Sequence, residues 1–302
     1  MNGAVIPIVL GVLFLSRPAH ASDFEKTVGA APGGTLHLDL DWRGTIAVTS
    51  HHADTVRVQA SASGWPWDVA FDLVPEGEGV RLTAEPTSAG DAAARVLVYA
   101  LWPFRHAHVD VEVRVPDRYA VEASTRGWRI DVGEVHGDVT IAARSGEVRV
   151  RGVDGHVVAA SAGGAIDVAD VDGDVRAVTS GGAVGVSRVT GTVEIATSGG
   201  SIDVRDAAAR VEARTSGGAI AVGFAGAPAG DVETSGGSIV VRVPRGAGAD
   251  LDAETSGGTI EVARDLAFDG PSGGQRVAGR LGGGGAALRL RTSGGSIRVA
   301  TQ

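Results

Sequence analysis

The string TSGGSI stands at residues 197–202 and again at 292–297, and TSGGAV, TSGGAI and TSGGTI begin at 179, 215 and 255. Aligned on the apolar residue after the glycine pair, the copies fall at Ile130, Val148, Ile166, Val184, Ile202, Ile220, Ile239, Ile260 and Ile297. The spacings are 18, 18, 18, 18, 18, 19, 21 and 37. A fixed period near twenty residues marks a chain that stacks one small unit on the next. The last spacing is about two periods, and residues 268–285 form either a degenerate coil or a loop.

Each period holds two short alternating runs. In SIDV (201–204), Ile202 and Val204 face one way and Asp203 the other. Nine residues before the marker comes a second apolar start, at Val139, Val157, Val175, Val193, Val211, Leu251 and Leu288. Alternation with period two is a strand with one buried face. The expected fold is therefore all-β: a parallel β-solenoid of about 18 residues per coil. Apolar content of 43% with only 4% aromatic residues suits such a thin core of Val, Ala, Ile and Leu.

Stacked coils turn equivalent positions into columns about 4.8 Å apart. One column is Gly146, Gly164, Gly182, Gly200, Gly218, Gly237, Gly258 and Gly295. Glycine at every level means either a positive φ or no room for a Cβ against the next coil. A second column, Thr179, Thr197, Thr215, Thr234, Thr255 and Thr292, is in phase with the inward residues. Its hydroxyls are expected to bond one another and the turn backbone, which keeps a buried polar column satisfied. Nine markers give a rod of about 40 Å.

Three segments follow from these patterns. Residues 1–21 read as a signal peptide: IPIVLGVLFL is an apolar core, AHA (19–21) supplies small residues, and cleavage is expected after Ala21. Residues 22–120 hold alternating runs such as TLHLDL and VDVEVRVP and read as an all-β N-terminal cap. Residues 121–302 are the repeat domain. With residues 1–21 removed, 26 basic residues face 36 acidic ones, which argues against nucleic acid as a partner. No later stretch is long and apolar enough to span a membrane, and with no Cys there is no thiol chemistry. A periplasmic, secreted or envelope location is expected.

The run VDVEVRVPDRYAVEASTRGWRIDV (109–132), followed by GDV, SGEVRV and the TSGG copies, resembles the bacterial "putative-adhesin" family of β-strand-repeat proteins, also described as auto-transporter adhesin head-like. The resemblance implies a right-handed parallel β-solenoid in an exported or envelope protein. It brings no catalytic residues and no cofactor.

Three sets of residues are candidates for chemistry. Trp65, Trp67, Trp102, Phe104, His106 and His108 form an aromatic and imidazole group that suits glycan stacking or a protein partner. Asp154, Asp170, Asp172 and Asp174 crowd turns in successive coils and offer hard oxygens to a cation such as Ca²⁺. The outward column Asp131, Arg149, Asp167, Gly185, Asp203 reads as a salt-bridge ladder. The functional expectation is a non-catalytic, adhesin-like surface that binds an envelope protein or glycan. The alternative is a glycan-binding or polysaccharide-active protein on the same scaffold.

Overall fold

The structure, a computed structural model, describes residues 22–63, 69–86, 108–271 and 273–302. Seven strands come first: β1 Ser22–Gly29, β2 Thr35–His51, β3 Thr55–Ser63, β4 Val69–Glu76, β5 Gly79–Pro86, β6 His108–Pro116 and β7 Ala120–His136. Two short strands per period follow: β8 Val139–Ala143, β9 Val148–Asp154, β10 Val157–Ser161, β11 Ile166–Asp172, β12 Val175–Thr179, β13 Val184–Val189, β14 Val193–Thr197, β15 Ile202–Ala207, β16 Val211–Thr215, β17 Ile220–Phe224, β18 Gly230–Thr234 and β19 Ile239–Val243. The last six are β20 Ala249–Thr255, β21 Ile260–Val262, β22 Phe268–Asp269, β23 Arg276–Leu281, β24 Ala286–Thr292 and β25 Ile297–Thr301. All belong to one large, mostly parallel sheet.

The 18-residue period sets the register. Even-numbered strands β8 to β18 form one parallel ladder and odd-numbered strands β9 to β19 a second. Ile166 lies beside Val148 and Val184, and Ile202 beside Val184 and Ile220, so the markers form one buried column. β-branched side chains repeated at one level pack well on a pleated surface. Both ladders continue toward the N-terminus through β7 and β2, whose 17 residues each run across both. Ile46 aligns with Ile130, and the parallel stack ends one level further out, at β5 and β6 beside β2.

The Thr and Gly columns are two parts of one device. Each Thr hydroxyl donates to the carbonyl of the column glycine one coil back, as Thr197 to Gly182 at 3.1 Å and Thr215 to Gly200 at 3.0 Å. Each also accepts the amide of its own glycine three residues on, as from Gly200 and Gly218, both at 3.3 Å. The hydroxyls bond the turn backbone and not one another. Of the eight column glycines only Gly146 has a positive φ, at 111°. For the other seven the cause is steric: a Cβ would overlap the carbonyl of the column glycine in the adjoining coil.

A third periodic feature is backbone strain at the end of the second ladder. Glu134, Gly152, Asp170, Arg188 and Asp206 all lie at φ between 53° and 65°. This left-handed residue turns the strand at the corner, so that Val168 and Val171 are both buried while Asp170 is exposed. A non-glycine residue there costs about 1 kcal/mol. Repetition at five successive levels shows that packing sustains it.

Spatial order departs from chain order at the C-terminal end. β18 pairs with β24, not β20, and β24 pairs with β20; likewise β19 pairs with β25, and β25 with β21. The marker column therefore runs Ile239, Ile297, Ile260, which corrects the sequential stacking expected from the spacings. Residues 268–285 are neither a coil nor a plain loop. They supply β22 and β23, which run antiparallel and cover the exposed edge of β20. The N-terminal end is closed the same way, with β4 antiparallel to β5, and β1 and β3 antiparallel beyond β6. Antiparallel closure satisfies edges that parallel coils leave open. The second ladder has thirteen strands, from β1 to β21, about 58 Å at ordinary strand spacing rather than the 40 Å counted from the markers.

Candidate functional site

At the N-terminal end the outer face of the second ladder is built by β1, β3, β6 and β2, side by side in that order. Alternation in HVDVEVRVP sends Val109, Val111, Val113 and Val115 into the core and His108, Asp110, Glu112 and Arg114 outward. Register then makes rows across the four strands. One row is Asp23, Ser61, Asp110 and Thr45; the next is Glu25, Gln59, Glu112 and Ala47. These two rows line a shallow concavity of about 470 Å³, with Phe24 at its side.

The groove offers four carboxylates, an amide and two hydroxyls, and its charges are partly met from within. The Arg114 guanidinium donates to Glu112 at 2.7 Å, and Arg57 pairs with Glu25. The His108 Nε2–H donates to Asp110 at 2.9 Å, with the Thr45 hydroxyl at 3.4 Å from the same nitrogen. His108 and Ser63 are register partners at the last rung of β3 and β6.

Of the aromatic and imidazole candidates, only His108 is described. Trp65, Trp67, Trp102, Phe104 and His106 lie outside the described residues, as do residues 1–21. Trp128 is fully buried core. The sequence expectation missed Asp23, Glu25, Gln59, Ser61, Asp110 and Glu112. Acids at alternate positions of VDVEVRV were the available signal.

The four candidate metal ligands are spread over separate partnerships. Asp170 is held by the Arg188 guanidinium at 2.5 and 2.8 Å, which keeps its carboxyl below the ordinary range. Asp172 accepts from the Thr190 hydroxyl at 2.7 Å, and Asp154 faces His136 at 3.4 Å. Asp174 accepts the Thr192 amide at 2.7 Å. Among the described residues, no group of three or more His, Asp or Glu converges as a metal would need.

Asp174 belongs instead to a capping column. Asp138 accepts the His156 amide at 2.9 Å, and His156 Nδ1 accepts the Asp174 amide at 3.3 Å. The Asp174 carboxylate lies 3.5 Å from the same Nδ1. Along the outward column, Arg149 approaches Asp131 at 3.9 Å but bonds Glu147 at 2.6 Å, while Asp167 takes Arg151 at 3.2 Å and Asp203 takes Arg205. Only the Arg149–Asp131 approach lies within the column; the shorter pairs draw on neighbouring positions, and Arg149 does not bridge Asp131 and Asp167 as expected.

No family model matches the chain, and no curated protein matches it. Solved structures similar to it include a "putative adhesin" from Parabacteroides merdae, 11% identical, covering 92% of this chain and 95% of that one at a TM-score of 0.43. Another, from Bacteroides fragilis, is also described as a "putative adhesin": 10% identity, 93% and 97% coverage, TM-score 0.40. A third, from Parabacteroides distasonis, is described as a "putative lipid binding protein": 12% identity, 93% and 96% coverage, TM-score 0.39. These identities and scores are too low to transfer a function. Among the described residues no helix is long and apolar enough to cross a membrane.

Proposed function

We propose that the chain is an exported, adhesin-like envelope protein that works by binding and not by catalysis. In this reading the two ladders are the faces of a right-handed β-solenoid, since parallel crossovers are almost always right-handed. The coils serve as a rigid spacer, and recognition lies at the N-terminal end. The observation that carries the reading is the groove lined by Asp23, Glu25, Gln59, Ser61, Asp110 and Glu112 on the outer face of the N-terminal strands. Along the coils, by contrast, outward charges are largely consumed by neighbouring coils, as in Arg176–Glu194 and Arg188–Asp170.

The partner is an envelope protein or a glycan, met in the periplasm or outside the cell.

The test compares the full mature chain with Gln59→Ala/Asp110→Asn and with Trp65→Ala/Trp102→Ala. The readouts are attachment to envelope fractions, a glycan array and a reducing-end assay. The expected result is loss of attachment by tenfold or more with unchanged far-UV circular dichroism. Undiminished attachment by both variants, or turnover of any polysaccharide by the wild type, overturns the proposal.

A further inference from the structure

The coil built from residues 286–302 is out of order in space, and its charges say why. Its side chains include Arg289, Arg291 and Arg298 and no acid. The outermost coil, 249–262, carries Asp250, Asp252, Glu254 and Glu261 and no base. On the inner side, coil 230–243 presents Asp231 and Glu233 on the first ladder, and its one base, Arg242, lies on the other, opposite Ala300. Register places Arg289 between Asp231 and Asp252, Arg291 between Glu233 and Glu254, and Arg298 beside Glu261. The ion pairs follow at 3.5 Å to Asp231, 3.9 Å from Arg291 to Asp252 and 3.9 Å from Arg298 to Glu261. Stacking in chain order would set Asp231 opposite Asp252 and Glu233 opposite Glu254. Like charges directly opposite on neighbouring strands are destabilising.

The interior of this coil carries no such address. Thr292 donates to Gly237 at 2.8 Å and Thr255 to Gly295 at 2.7 Å, the same rung that Thr179, Thr197, Thr215 and Thr234 make in the coils before. Its TSGGSI is identical to that at 197–202. The connection to the rest of the chain is Gly282–Gly285, which crosses the 246–248 segment so closely that a Cβ on Gly285 would lie 2.8 Å from the Gly248 carbonyl. Three of these glycines have φ of 54° to 94°. A four-glycine tether has the backbone freedom to swing the coil out of its slot.

We infer that residues 286–302 are an exchangeable cationic coil, and that the slot between the two acidic coils accepts the same segment from a second copy of this chain. The slot selects by outward charge, the tether permits departure, and the rung chemistry is common to any TSGG coil. Two copies that trade this coil are joined through their C-terminal ends, with the N-terminal grooves left free.

The chain has no cysteine, so introduced ones report cleanly. Glu254 and Arg291 are register neighbours on adjoining strands, within disulfide reach. Full-length Glu254→Cys and full-length Arg291→Cys, differently tagged, are mixed, incubated and mildly oxidised. The expected product is a covalent heterodimer several-fold above that from Ala160→Cys mixed with Val178→Cys, which are register neighbours in interior coils. Adding Asp231→Lys and Asp252→Lys to the Glu254→Cys chain should lower the yield several-fold. Heterodimer no greater than the interior control overturns exchange, and yield indifferent to the lysines overturns selection by charge. A single chain with Glu233→Cys and Glu254→Cys should not close a disulfide; if it does, the coils stack in chain order and the inference falls.

Discussion

The two glycines of one TSGG turn should respond in opposite ways to the same methyl group. A Cβ on Gly200 would overlap the Gly182 carbonyl oxygen, far inside the ~3.5 Å of ordinary contact. That oxygen is also the acceptor for the Thr197 hydroxyl, so relief of the overlap by moving the coils apart stretches a buried hydrogen bond. Overpacking of this kind costs roughly 1–3 kcal/mol, and the weakened rung adds about 1 kcal/mol. Gly200→Ala should therefore destabilise by about 2–4 kcal/mol. Gly199 differs: the nearest atom to its Cβ is the Ser180 carbonyl oxygen at 3.9 Å, and its φ is not positive. Gly199→Ala should be neutral, or stabilising by up to about 1 kcal/mol through lost freedom in the unfolded chain. Denaturant unfolding followed by far-UV circular dichroism and the buried Trp128 gives both values. Equal effects of the two substitutions would refute the close approach of coils as the reason for the glycine column.

Four further outcomes follow from named contacts. Ile202→Asp should unfold or aggregate the protein, because it buries an unpaired charge, while Asp203→Asn should shift stability by under about 0.5 kcal/mol; comparable effects in solubility and melting assays would refute the strand phase. Thr215→Val leaves the Gly200 carbonyl and the Gly218 amide without their hydroxyl and should cost about 1–3 kcal/mol, with Thr215→Ser milder, by the same unfolding measurement. Asp170 has a folded pKa depressed by Arg188, so its contribution is present above the unfolded value and lost as pH falls through the folded one. The stability gap between wild type and Asp170→Asn should be open at pH 6 and close below about pH 4. Ca²⁺ should raise the melting temperature weakly at most, at millimolar concentration, since the turn carboxylates already have partners; a tight calorimetric signal lost in Asp172→Ala would refute that.

The groove shows where sequence reasoning stopped. The aromatic segments drew notice because aromatic residues are rare in this chain, while Asp23, Ser61 and Asp110 looked like ordinary solvated strand positions. Nothing local to any of them reports the other two. They meet because β3 runs antiparallel to both β1 and β6, which puts residues 23, 61 and 110 in one row. The acidic turns show the reverse case. Asp154, Asp170, Asp172 and Asp174 are close in sequence register, but the corner at Asp170 turns its carboxylate toward Arg188, and Asp174 caps the next coil's amide.

Strand phase, the 18-residue register and the buried Thr were all determined by the sequence alone. They rest on local alternation and on identity between coils, and a residue's inward or outward sense needs only its two neighbours. The choice for the glycine column, between a positive φ and a missing Cβ, needed the distance to the next coil. Coil order was beyond the sequence for a related reason. From Thr179 onward each coil offers the same Thr–Gly rung and an aliphatic marker, so the interior there cannot tell one neighbour from another. Only the stacked structure brings Arg289 between Asp231 and Asp252 and passes four glycines over the 246–248 segment. There the outward charges and the room for a chain crossing decide which coil lies last.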